Sequence, residues 1–247
     1  MYTQLKSTAR LAAAASLTTL VLALQACGGG GGSDPVPEPV KPTTYDLQAA
    51  MTQYYTKANT WNLSGIVTGA GLPAAGTAVT MVLTTTPMTG VGTHPVLGKQ
   101  FSHMSQSMTL NFLGTSKSAV YESFFDPATA QAEGQASLAD DSCEASVTKG
   151  SYSRTAKVGD TGSGGSGIEY ISCQAGSGAE ANFVDTWVVK QDGARVLLCL
   201  ERSAKVVATG FTRTGSQCLQ LNADSSLGSY VSFSEKLEDA TFELKTP

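Results

Sequence analysis

The chain has 247 residues, a formal net charge of −4, and is 41% hydrophobic and 15% charged. That mildly acidic balance excludes nucleic acid and anionic lipid surfaces as the main partner, while the length allows one sizeable core. Five cysteines and two histidines offer little for a metal centre; no Cys-x-x-Cys spacing occurs and neither histidine neighbours a cysteine, so no metal or cofactor is expected.

Lys6 and Arg10 precede an uncharged apolar run from Leu11 to Leu24, followed by Gln25-Ala26-Cys27. A basic segment, an apolar run and a small residue before the cut are the order of a secretory signal. The run has about fourteen residues, short of the roughly twenty that a helix needs to cross a bilayer. Residues 1–26 are therefore expected to be removed. Leu24-Gln25-Ala26-Cys27 resembles the lipobox of bacterial lipoproteins, although Gln25 departs from the small or β-branched residue usual there. The resemblance covers the first 27 residues and implies lipidation of Cys27. In such Gram-negative lipoproteins an Asp after the Cys tends to retain the protein at the inner membrane. Gly28 stands there instead, so the resemblance favours the outer membrane. Several acyl chains at about 0.8 kcal/mol per buried methylene would hold the chain firmly.

Residues 27–43 read as a tether, with Gly28 to Gly32 flexible and the alternating prolines from Pro35 to Pro42 extended. Loss of residues 1–26 removes two basic residues and leaves a net charge of about −6. With Cys27 lipidated, Cys143, Cys173, Cys199 and Cys218 form an even set in an exported chain, which implies two disulfides. The sequential pairing Cys143–Cys173 and Cys199–Cys218 is favoured because both loops are short.

From Thr44 a helix is predicted, since Leu47, Met51, Tyr54, Tyr55 and Ala58 recur on one helical face, with Thr43 or Thr44 as N-cap and Asp46 in the first turn. Beyond Trp61, β-formers with frequent glycines predict strands: 62–68, 78–85, 101–112 and 118–125, the last two joined as a hairpin. Residues 128–139 read as a brief helix or ordered loop. Strands are predicted again at 143–148, 151–158 and 168–174, and the glycine-rich stretch 159–167 reads as a mobile surface loop. Asp192-Gly193 signals a hairpin between 182–190 and 195–201, whose apolar composition places it at the centre of the sheet. Strands at 205–213, 217–222, 228–233 and 240–244 complete a meander. Residues 44–247 are thus expected to form one mainly β domain, an antiparallel sandwich or partly open barrel with the N-terminal helix packed on it.

The chemistry expected of this domain is sparse. Ser163, Ser166 and Ser177 lie among glycines but none forms a nucleophile elbow. His94 precedes Pro95 in a loop and His103 falls in a strand, so both read as surface or packing residues. Gly69-Ala70-Gly71 is a turn without a following helix, and Asp140-Asp141 and Glu238-Asp239 are solvated turns. No catalytic residue is assigned. The expected protein is a lipid-anchored monomer held to a membrane through Cys27, a non-catalytic binding or structural module for an envelope protein or apolar ligand. A carrier of lipid, like lipoproteins that resemble half-open barrels with helices in the mouth, and an envelope hydrolase are the alternatives. In general texture the domain is similar to uncharacterised exported lipoproteins of Gram-negative bacteria.

Overall fold

The computed structural model describes residues 44–247 except residue 138. The signal segment 1–26, Cys27 and the tether to residue 43 lie outside the described residues. The chain opens with α1 (Leu47–Thr56) and continues through β1 (Asn59–Gly69), β2 (Thr77–Pro87), the two-residue β3 (Gly92–Thr93), β4 (Gln100–Phe112), β5 (Thr115–Asp126), β6 (Gln131–Ser137) and β7 (Ser142–Lys149). Then follow β8 (Thr161–Tyr170), β9 (Ala179–Asp192), β10 (Arg195–Val206), β11 (Thr212–Leu221), β12 (Leu227–Lys236) and β13 (Ala240–Lys245).

Every strand pairs antiparallel with its neighbour, β1 pairs with β13, and β2 pairs with β4. The ring closes through that last pair, with β3 attached outside the ring to β4. Of the two expected architectures the barrel is the one formed, and closure removes the exposed edges that a sandwich would carry. It also leaves no central hairpin. β9 and β10 do pair across the Asp192-Gly193 turn as expected, but they are two staves among equals.

The inward register runs Trp61, Leu63, Val67 on β1, Val79, Met81, Leu83 on β2 and Leu198, Leu219, Val231, Phe233 across the opposite wall, all buried in one core. The outward register of β1, β2 and β4 is mostly polar. Thr60, Asn62 and Ser64 on β1 continue into Thr84, Val82 and Thr80 on β2, and these into Ser107, Thr109 and Asn111 on β4. The apolar register of these strands thus faces into the barrel.

α1 crosses one mouth. Asp46, rather than a threonine, is its N-cap and accepts from the Ala49 amide at 2.8 Å. The helix begins later than the sequence suggested because the Leu47 amide donates to Ser153 O and Tyr45 bridges to Ala156. Leu47, Ala50, Met51, Tyr54 and Tyr55 point into the barrel. Tyr54 stacks on Trp61 at 6.2 Å and Tyr55 on Phe125 at 4.5 Å between ring centroids.

Several local expectations fail, among them the strand expected at 205–213, which is instead the end of β10, the β10–β11 turn and the start of β11. Residues 151–158 form no strand beyond the Ala156 bridge, and 128–139 is largely strand β6. The glycine-rich stretch expected to be a mobile loop lies mostly in β8. Its glycines serve close packing: a Cβ on Gly162 would stand 2.3 Å from the Trp187 ring, and one on Gly167 would stand 2.3 Å from the Phe183 ring. Bulky inward side chains on β9 thus lie flat over a bare strand.

Candidate functional site

Two regions combine polar groups with concave shape. The first lies inside the barrel. On β9, Asp185 shares the inward register of Phe183 and Trp187; on β10, Arg202 shares that of Leu198 and Leu200. The two are paired residues, so the strands themselves aim one at the other. Arg202 grips Asp185 in a fork, Nε to Oδ1 and Nη2 to Oδ2 at 2.7 Å each, and its Nη1 donates to Glu144 Oε2 on β7. Its guanidinium lies 4.0 Å from the centroid of the Phe183 ring. Such a planar fork is what arginine provides and lysine does not. Burial works against ionisation of Glu144, but the Arg202 guanidinium outweighs it and holds the carboxyl below its ordinary range.

Nearby, Arg213 on β11 pairs with Glu169 on β8, and both are buried. Glu235 on β12 continues the inward register of Val231 and Phe233 and is 1% exposed. Among the described residues neither of its carboxylate oxygens has a hydrogen-bond partner. Burial pushes this carboxyl up to about 8, so it is held protonated at neutral pH.

Beneath α1 the Arg202, Asp185 and Glu144 group borders a cavity of about 130 Å³. Met51, Tyr54 and Tyr55 form its roof; Gln106, Gln217, Ser123, Gln135, Glu144, Asp185 and Arg202 are among its walls. Gln217 donates to the Tyr54 hydroxyl at 3.4 Å, and that hydroxyl donates to Gln106 Oε1 at 3.3 Å. The space suits a few water molecules and falls below the roughly 300 Å³ at which ordinary ligand pockets begin.

The second region is the outer wall of β1 and β10–β13. Three open grooves lie on it, of about 440, 690 and 360 Å³. The first is lined by Thr186, Ser203, Thr214, Ser216, Ser234 and Glu243, together with Lys236 and Glu201. The register explains the lining, because Glu201, Ser216, Ser234 and Glu243 fall in one row across four strands. The same wall carries Cys199–Cys218, which joins directly opposed residues of β10 and β11. Cys143–Cys173 ties β7 to the β8–β9 turn, so both pairings are those the loop lengths favoured.

The residues weighed for chemistry end elsewhere. His94 and His103 lie on the outer side of the wall, away from the interior acids: His94 Nε2 contacts Glu144 O at 2.8 Å, and His103 Nδ1 contacts Glu122. Ser163 and Ser166 belong to β8, whereas the Ser177 hydroxyl accepts from the Ser172 amide at 3.0 Å. Asp140 and Asp141 do sit in a turn, but each has a structural role: Asp140 accepts from the Ser137 hydroxyl and Asp141 from the Cys173 amide, at 2.8 and 2.9 Å. Glu238 and Asp239 are exposed in the β12–β13 turn.

Reading the sequence for motifs missed the interior charges. A signal was present: Asp185, Arg202 and Glu235 each occupy the apolar parity of their own strand. Comparison with protein-family models, with curated proteins and with solved structures finds no match to this chain.

Proposed function

We propose that the chain is a lipid-anchored cell-envelope protein whose barrel acts as a non-catalytic binding module, engaging a polar partner through the outer wall of β1 and β10–β13. The anchor rests on the lipobox at Leu24 to Cys27 and the tether that follows it. The observation that carries the binding reading is the contrast in concavity: open grooves of about 440 and 690 Å³ on that wall, against about 130 Å³ inside. The grooves present hydroxyls and amides together with charged groups such as Glu201, Lys236 and Glu243, which suits a polar partner better than an acyl chain.

The same contrast weighs against a lipid carrier. To admit a chain, α1 would have to leave the mouth and expose Leu47, Met51, Tyr54 and Tyr55, at a cost on the order of 10 kcal/mol. The hydrolase alternative gains no support from the interior acids, since Asp185 and Glu144 are engaged by Arg202 beneath α1.

Cys27→Ser is expected to abolish incorporation of labelled fatty acid, and labelling of the variant would overturn the anchor. For the wall, Ser216→Arg with Ser234→Arg should weaken retention of an envelope glycan or protein by at least about tenfold, near 1.4 kcal/mol. Val120→Arg, on the outward face of β5, should leave it unchanged. Equal binding by both variants and the parent would sink the wall, and breakdown of the retained component would sink the non-catalytic reading.

A further inference from the structure

The chain's two histidines lie on either side of one phenylalanine beneath one outer segment. Residues 88–99 leave β2, pass through β3 and lie across the outer faces of β4–β7. Phe124 is fully buried there, with the His94 ring at 5.0 Å and the His103 ring at 6.2 Å, the latter nearly parallel to it. Val96 and Phe101 pack against the same small cluster as Ala136 and the Cys143–Cys173 disulfide. This is a second core, outside the barrel, and the segment is its lid.

His94 fixes the segment to the wall. It is fully buried, and its Nε2 meets Glu144 O at 2.8 Å while its Nδ1 accepts from the Leu97 amide at 3.3 Å. Those contacts define a neutral ring, with the proton on Nε2 and a lone pair on Nδ1. A second proton would sit on Nδ1 and face the Leu97 N–H, donor against donor. Further turns close around this residue: the His94 amide donates to Lys99 O and the Gly98 amide to His94 O, each at 2.8 Å. Nor is there slack on the wall side, where a Cβ on Gly134 would lie 2.5 Å from His94 Nε2.

The charged groups around His94 are already engaged. From β7, the Glu144 carboxylate turns inward to Arg202; from β6, Glu133 is held by Lys149; from β5, Glu122 is held by His103 of β4. On the segment itself Lys99 is exposed and positively charged. An imidazolium at His94 would therefore be buried without a carboxylate of its own.

We propose that residues 88–99 form a pH-released strap, closed while His94 is neutral and lifted when it is protonated, uncovering Phe101, Phe124 and the Cys143–Cys173 disulfide. Burial lowers the His94 pKa from its ordinary 6.5. The open strap therefore takes up the proton more readily than the closed one. Closure is fully favoured above the ordinary value and weakens as pH falls through and below it.

Hydrogen exchange on the full-length protein, corrected for the intrinsic pH dependence of exchange, tests this. Between about pH 7.5 and pH 5 the Leu97 and Gly98 amides should lose protection, while Leu198 in β10 keeps its own. His94→Gln should abolish the pH response and His103→Gln should retain it. Unchanged strap protection in the parent, an identical response in His94→Gln, or loss of Leu198 protection alongside the strap would each overturn the proposal. If His94→Gln fails to fold, the imidazole resonance of His94 decides: titration in step with Leu97 deprotection supports the strap, and titration without it refutes the strap.

Discussion

The barrel fills its interior in two ways. Around α1 the space is taken by Trp61, Leu63, Met81, Leu83, Leu198 and Phe233 with the helix face among them, and shape alone decides the packing. On the inner side of β7–β12 the same inward register carries Glu144, Glu169, Asp185, Arg202, Arg213 and Glu235. A closed sheet of this many strands encloses more volume than its own side chains readily fill. One side uses a helix as filler, and the other uses long charged side chains that must be paired to be tolerated. The apolar side should thus lose stability in proportion to volume removed, and the charged side whenever a partner is removed.

The largest effect is expected from splitting a buried pair. Arg213→Met would leave Glu169 buried without its cation, at a cost of about 3–5 kcal/mol. Adding Glu169→Leu to that variant should recover most of the loss, because two apolar side chains leave no charge stranded. Denaturant midpoints of the single and double variants check this. A double variant no more stable than the single would show that the pair itself, and not the stranded charge, holds the wall.

Leu83→Ala, on the apolar side, is expected to cost about 3 kcal/mol through lost burial and the cavity left behind. No second substitution at a partner position should rescue it unless it restores volume. A cost below about 1 kcal/mol, read from the same midpoints, would mean that α1 settles into the gap.

Glu235 offers a smaller effect with the opposite sign. The unfolded chain ionises this carboxyl near 4.5, whereas the folded chain keeps its proton until about 8. Between those values the unfolded state binds fewer protons, so stability falls as pH rises from about 4.5 to about 8 and levels off beyond. Glu235→Gln removes that slope and should be more stable than the parent at pH 8, with little difference at pH 4.5. Parallel pH profiles for the two proteins would show that Glu235 is ionised in the fold. The His94 strap acts on the acid side of 6.5, inside the same window, but with the opposite sign, since it weakens as pH falls while the Glu235 contribution grows.

The apolar side was legible in the sequence and the charged side was not. The 3.6-residue spacing of Leu47, Met51, Tyr54 and Tyr55 gives α1 directly, and alternation in 78–85 and 101–112 gives β2 and β4. Pairing of Cys143 with Cys173 and of Cys199 with Cys218 followed from short loops. Closure could not be read, because pairing of β2 with β4 across the strap, and of β1 with β13, depends on contacts far apart in sequence. The glycines of β8 misled for a related reason. Their composition signals a flexible loop, and only Phe183 and Trp187, on the neighbouring strand, explain why bare positions are wanted there. The interior charges carried a local sign, since Asp185 stands between Phe183 and Trp187 in a two-residue period, but motif reading looks for catalytic spacing and passes over parity.

The smallest expected effect tests whether α1 is a filler of the apolar side or a fold of its own. Asp46 caps the helix by accepting from the Ala49 amide, and its own amide donates to the Ser225 hydroxyl in the β11–β12 turn at 2.9 Å. Asp46→Ala removes the cap but leaves that backbone bond and the buried face of Leu47, Met51, Tyr54 and Tyr55. A helix of ten residues has little stability by itself, so its order must come from the barrel it closes. The variant should lose about 1 kcal/mol, the ordinary worth of a cap, in a single transition with the barrel. A separate early transition in near-ultraviolet circular dichroism, reporting Tyr54 and Tyr55 against Trp61 and Phe125 before the sheet melts, would show instead that the helix unfolds independently. The two fillings would then differ in cooperativity as well as in chemistry.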